Sequence, residues 1–162
     1  MSTEVSKKEV IIPNFGEVLA EHLGGVSTDA YPYLLSRLER TAADRYRGWA
    51  EDVPEHREGL LECAAREDEI ADRVEAMFPP TSSQRAEVEA VIPAAKATYY
   101  AVFSGYSSYE QMAIQADAEQ QGANAWQNLK HAYPEKSAEF DELSNIELRS
   151  AEYLSELLAQ ST

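Results

Sequence analysis

Four glutamates, Glu39, Glu67, Glu119 and Glu147, are the residues whose type and spacing point to chemistry. Each lies on or beside the apolar stripe of a predicted helix, and there is one in each of four helices. An ionised carboxylate in a core is costly; it protonates, pairs or binds a cation. A single glutamate on such a stripe carries no message, because Glu is common in helices. Four in register point to a shared interior site.

The register comes from an internal repeat. Moving 80 positions along the chain brings Glu39 onto Glu119, Ala43 onto Ala123, Tyr46 onto Trp126 and Pro54-Glu55 onto Pro134-Glu135. Glu62 then falls on Glu142, Glu67 on Glu147 and Ala71 on Ala151. Self-similarity of this kind fixes architecture. In the first copy a helix begins near Ser27-Thr28-Asp29, with Pro32 close to its start, and runs to about Asp52. Leu35, Leu38, Ala42, Tyr46, Trp49 and Ala50 form its inner stripe. Pro54 ends it. A second helix runs from about Glu55 to Met77 with Leu60, Cys63, Ala64, Ile70, Ala71 and Val74 inward, and Pro79-Pro80 stops it. In the second copy Ser107-Ser108 caps a helix to about Tyr133. The last helix runs from Glu135 to Ala159 through Phe140, Leu143, Ile146, Ala151, Leu154 and Leu158. Short connections make each copy an antiparallel hairpin, and neither hairpin buries its stripe alone. The expected fold is all-α, two hairpins packed as a four-helix bundle.

With Glu39, Ala42, Tyr46, Trp49 and Ala50 followed by Ala64-Ala65-Arg66-Glu67, the chain resembles the ferritin-like superfamily, rubrerythrin-type members most closely. The resemblance covers about residues 27–159 and implies a ferritin-like antiparallel bundle with a long crossover. It also implies a di-metal site built from a Glu on each of two helices and a Glu-x-x-His on each of the other two. Here the two histidine positions hold Ile70 and Ser150, so the implied site carries over only as its four carboxylates. Tyr46 and Trp126 are the expected hydrogen-bonding partners of those carboxylates. Four oxygen donors suit Mn²⁺, Fe²⁺ or Mg²⁺ with water in the imidazole positions. Alternatively the metal has been lost, and the glutamates are protonated, bonded to Tyr46 or Trp126, or paired with Arg. Ile70 favours that outcome, because branched hydrocarbon removes a ligand and room for water. The cofactor expectation is therefore none, or a di-metal centre of Fe or Mn.

The domain plan is a tail and short helix over 1–26 and a bundle over 27–162, made of hairpin 27–78, crossover 79–106 and hairpin 107–159. Phe15, Val18, Leu19 and Leu23 outline the short helix, with Gly24-Gly25 as its C-cap. Ser82-Ser83 caps a crossover helix that Pro93 kinks or splits. Its aromatic end (Tyr99, Tyr100, Phe103, then Tyr106 and Tyr109) reads as core packing, or else as a dimer surface or pocket wall. Gly122, in mid-helix, reads as close packing opposite Ala43 or Ala64. His22, His56 and His131 fall near helix ends or loops. Cys63 reads as a small buried residue, since no His is placed beside it.

At 162 residues and a formal net charge of −15, the chain is one domain by length and too acidic for a nucleic-acid backbone or an anionic membrane surface. One cysteine excludes an internal disulfide. No apolar run spans a bilayer and the first residues do not form a signal peptide, so the expected location is cytoplasmic. No CxxC pair offers a rubredoxin-like iron site. The functional expectation is a diverged ferritin-like interaction or ligand-binding module lacking a full di-iron site, with a homodimer as its expected assembly. The alternative is a di-metal carboxylate protein in oxygen, peroxide or iron handling, which would make it an oxidoreductase. Acid–base catalysis by paired glutamates is a further option without a recognisable substrate pocket.

Overall fold

The computed structural model describes residues 10–161, and six α-helices make up most of them. They are α1 (Phe15–Leu23), α2 (Tyr31–Asp52), α3 (Arg57–Met77), α4 (Ser82–Ala101), α5 (Ser108–Leu129) and α6 (Ser137–Gln160). No strand occurs among the described residues. Of the tail expected over 1–12, only Val10, Ile11 and Ile12 are described; Val10 packs on the core and both isoleucines are exposed.

Helices α2 and α3 form one hairpin, and α5 and α6 form the other. The two junctions repeat each other in backbone geometry. Val53 (φ −128°, ψ 72°) precedes a 3-10 turn over Pro54–His56, and Tyr133 (φ −134°, ψ 64°) precedes one over Pro134–Lys136. The cause is the same in both: a residue before proline is kept out of the helical region, and proline then supplies the φ of a new turn. Helix α2 starts after a 3-10 turn, Thr28–Ala30, rather than at a capped Ser27, whose hydroxyl instead donates to Glu87 of α4.

The hairpins meet through α3 and α6, and through side chains of α2 and α5. Two apolar clusters fill the interior. One contains Tyr46, Trp49, Leu60, Cys63, Met112, Ile114 and Leu154. The other contains Ile70, Val74, Trp126, Phe140, Leu143 and Ile146. On α2, α3, α5 and α6 the repeat glutamate falls between the residues given to one cluster and those given to the other, so the carboxylates form a polar layer between two hydrophobic ones.

Helix α4 is the crossover. Thr81, not Ser82-Ser83, caps it: its hydroxyl accepts from Gln84 N–H while the Gln84 side chain accepts from Thr81 N–H. The helix also runs unbroken through Pro93. It packs on α1 and α2, over a small cluster of Val26, Tyr33, Leu34, Val88 and Ile92. Its aromatic end turns inward: Phe103 is buried between Trp49 and the buried Tyr99, while Tyr100, Tyr106 and Tyr109 are half-buried. Gly105 takes φ 84° in the turn that follows, a conformation strained for residues with a Cβ. Ser107 and Glu110 then cap α5 reciprocally. Helix α5 stops at Leu129, short of the expected Tyr133.

Ion pairs tie the outer faces. Arg40 reaches Asp68, Asp72 and Glu75 across α2–α3, Arg37 reaches Glu89 of α4, and Arg73 reaches Glu142 of α6. Exposed pairs of this kind contribute about 0–1 kcal/mol each. No helix is long and apolar enough to cross a membrane among the described residues.

Candidate metal centre

Glu39 of α2, Glu67 of α3, Glu119 of α5 and Glu147 of α6 meet at the polar layer. One oxygen each from Glu39, Glu67 and Glu147 can be chosen so that all lie within 4.8 Å of one another. Two ligand oxygens on opposite sides of a cation stand about 4.2 Å apart for Mg²⁺ and about 4.6–5.2 Å apart for Ca²⁺. The three oxygens therefore span roughly one coordination sphere. The Glu39 carboxyl neighbours those of Glu67 and Glu147, and the Glu147 carboxyl neighbours that of Glu119. A bond between two carboxyl groups needs a proton on one of them, so carboxyls this close favour holding a proton when no cation is present.

Electrostatics agree with the geometry. Burial first, and the neighbouring carboxylates second, hold Glu67 and Glu147 well above the usual carboxylate range. Glu39 is raised too, by burial and by Glu119, although its side chain is half-exposed where the others are buried. None of the described ion pairs involves any of the four. Glu67 Oε1 and Glu119 Oε2 are buried and have no hydrogen-bond partner. A buried acceptor left unmatched costs about 1–3 kcal/mol.

The second halves of these carboxylates are held in place by named donors. Tyr46 Oη donates to Glu119 Oε1 at 2.6 Å, and burial together with that carboxylate raises the Tyr46 phenol well above its ordinary value. Gln115 Nε2 donates to the same oxygen at 2.9 Å, and Tyr99 Oη donates to Gln115 Oε1 at 2.7 Å. Trp126 Nε1 points to Glu147 Oε1 at 3.5 Å, the weak limit of such a bond. Tyr46 and Trp126 thus both reach carboxylates. Gln115 and Tyr99 were not anticipated. Gln115 carries a legible signal, standing one helical turn before Glu119 on the same face; Tyr99 comes from the crossover and carries none.

The copies differ at this point. The counterpart of Gln115 is Leu35, so Glu39 has only carboxyl partners where Glu119 has an amide and a phenol. Leu35 and Leu38, expected on the inner stripe, are partly buried against the core clusters and also line a cleft of about 440 Å³ that opens onto the four glutamates. Helix α1 roofs it with Phe15, Leu19 and Leu23, and α5 borders it with Ala118, Gly122 and Ala125. Two links hold α1 in place. Gln121 Nε2 donates to Pro13 O at 2.8 Å and Gln121 Oε1 accepts from Phe15 N–H at 2.9 Å; His22 Nε2 lies 2.9 Å from Thr98 Oγ1.

Gly122 also differs from expectation. It faces the Glu147 carboxylate, not Ala43 or Ala64.

No nitrogen donor among the described residues completes the set. Ile70 is fully buried within the second apolar cluster. Ser150 Oγ accepts from Arg66 Nε at 2.9 Å, and Arg66 Nη2 also contacts Cys63 Sγ at 3.1 Å. Cys63 itself is buried beside the centre, and burial pushes its thiol up to about 11, which keeps it protonated and unreactive at neutral pH. The three histidines stand elsewhere: His22 in the last turn of α1, His56 in the α2–α3 junction and His131 in the turn after α5. The donor set is oxygen throughout, which fits a hard divalent cation and does not fit the mixed nitrogen–oxygen set that the ferritin-like resemblance implies.

No protein-family model, no curated protein and no solved structure matches the chain.

Proposed function

We propose that the chain is a diverged ferritin-like bundle, without the nitrogen ligands of a full di-iron site, that binds a divalent cation through carboxylate oxygens alone. The observation that carries this reading is the approach of Glu39, Glu67 and Glu147 oxygens within 4.8 Å, with no basic side chain paired to them. The unmatched Glu67 Oε1 and Glu119 Oε2 support it, as does the cleft, which gives the layer a path to solvent. Glu39, Glu67 and Glu147 would be the ligands, and Glu119 the fourth carboxylate, oriented by Tyr46 and Gln115. A bound cation would supply the positive charge that lets the cluster ionise fully.

Elemental analysis of protein purified from Mn- and Fe-supplemented cells tests the reading, with Glu67→Gln/Glu147→Gln as the control. Near-stoichiometric metal in the parent and little in the variant is the expected result. Trace metal in both would reject it.

Ile70 and Ser150 favour a second reading, in which the cluster is a proton-sharing structural layer and the bundle is a metal-free interaction or ligand-binding module. That reading expects chelation to leave the melting temperature where it was.

A further inference from the structure

Helix α1 is amphipathic, yet none of its residues is fully buried: Phe15 and Leu23 touch the core clusters, and Phe15, Leu19 and Leu23 also line a cavity beneath the helix. Leu35 and Leu38 of α2 are partly buried, each against a core cluster, and line the same cavity. Apolar side chains held apart in this way leave a volume that a hydrocarbon body can fill, and about 440 Å³ is within the range of small-molecule sites. The floor is of opposite character. It is lined by four carboxylates, two of which, on Glu67 and Glu119, keep a buried oxygen without a partner, and by no ion-paired cation. An anionic ligand is excluded by charge. A neutral hydroxyl satisfies one acceptor but brings no positive charge to let the clustered carboxyls ionise. A protonated primary amine offers three donors and a positive charge in one compact group.

We infer that this cleft binds a small amphiphilic amine, with its ammonium on the Glu67 and Glu119 carboxylates and its hydrocarbon body between Leu19 and Leu23 of α1 and Leu35 and Leu38 of α2. The inference does not rest on metal binding. The ammonium and a metal ion are alternative occupants of one floor, and the walls take part only with the amine.

The test uses the full chain stripped of metal by chelation, with n-hexylamine, n-butylamine, 1-hexanol and hexanoate titrated by calorimetry. Hexylamine is expected to bind at least tenfold more tightly than hexanol, and hexanoate not at all. Each buried methylene strengthens binding about fourfold, so hexylamine should exceed butylamine by roughly tenfold or more. Leu38→Trp, which fills the cleft, should weaken hexylamine at least tenfold while the same sample keeps its Mn²⁺ response. Ala118→Leu does the same from the opposite wall and serves if the first variant does not fold. Hexanol or hexanoate binding as tightly as hexylamine overturns the inference, as does unchanged hexylamine binding in a folded cleft-filling variant. Loss of the Mn²⁺ response in the parent, with hexylamine binding intact, would remove the metal reading and leave this one standing.

Discussion

A Cβ placed on Gly122 of α5 would lie 2.7 Å from Glu147 Oε2 on α6. Glycine at this position gives the carboxylate room, and its lack of a side chain is what lets Glu147 reach the centre. The helix gives up about 1 kcal/mol relative to alanine for it. Gly122→Ala should therefore leave stability within about 1 kcal/mol of the parent, the helix gain offset by displacement of Glu147. It should also weaken Mn²⁺ binding roughly tenfold or more. Urea unfolding and calorimetric titration separate the two effects.

Binding to the native state stabilises by mass action. At a free concentration a hundredfold above its dissociation constant, Mn²⁺ should add about 2.7 kcal/mol, or roughly 5–10 °C in melting temperature for a domain of this size. Glu67→Gln/Glu147→Gln should melt at the same temperature with and without Mn²⁺. An equal shift in both proteins would place the metal elsewhere.

Proton linkage gives the sign of a pH effect. Glu67 and Glu147 are raised by burial and by one another's neighbours, whereas the unfolded chain returns them to about the ordinary 4.5. Above that pH the metal-free native state holds more protons than the unfolded state. Its stability is full below about pH 4.5 as far as these groups are concerned, and falls as pH rises through their native values, by on the order of 1 kcal/mol per pH unit for each group titrating. Between pH 5 and 8 the chelated parent should lose stability and Glu67→Gln/Glu147→Gln should be flatter. Metal affinity should move the other way, rising with pH as protons stop competing.

Tyr46 ties α2 to α5 through one short bond to Glu119. Tyr46→Phe keeps the ring, its edge contact with Trp49 and its packing, and removes only the donor. A loss of roughly 1–2 kcal/mol in unfolding free energy is expected, since Gln115 still serves the same oxygen. A loss close to zero would mean the phenol is not needed to hold the carboxylate.

The sequence by itself determined the helices, the proline-set junctions and the alignment of Glu39 with Glu119 and of Glu67 with Glu147. These are local or periodic properties: a 3.6-residue stripe, a missing N–H, and a spacing that survives along the chain. Tertiary structure decided what surrounds the glutamates. Tyr46 of α2 reaches Glu119 across the interface, Tyr99 of α4 donates to the Gln115 that serves the same carboxylate, and Gly122 is set by a carboxylate across the interface. Leu35 and Leu38 look like core residues in one dimension; they line a cleft because α1 bridges the space opposite them without filling it. Periodicity reports which face of a helix is apolar, and only the packing of other helices against that face decides whether it is closed or left open.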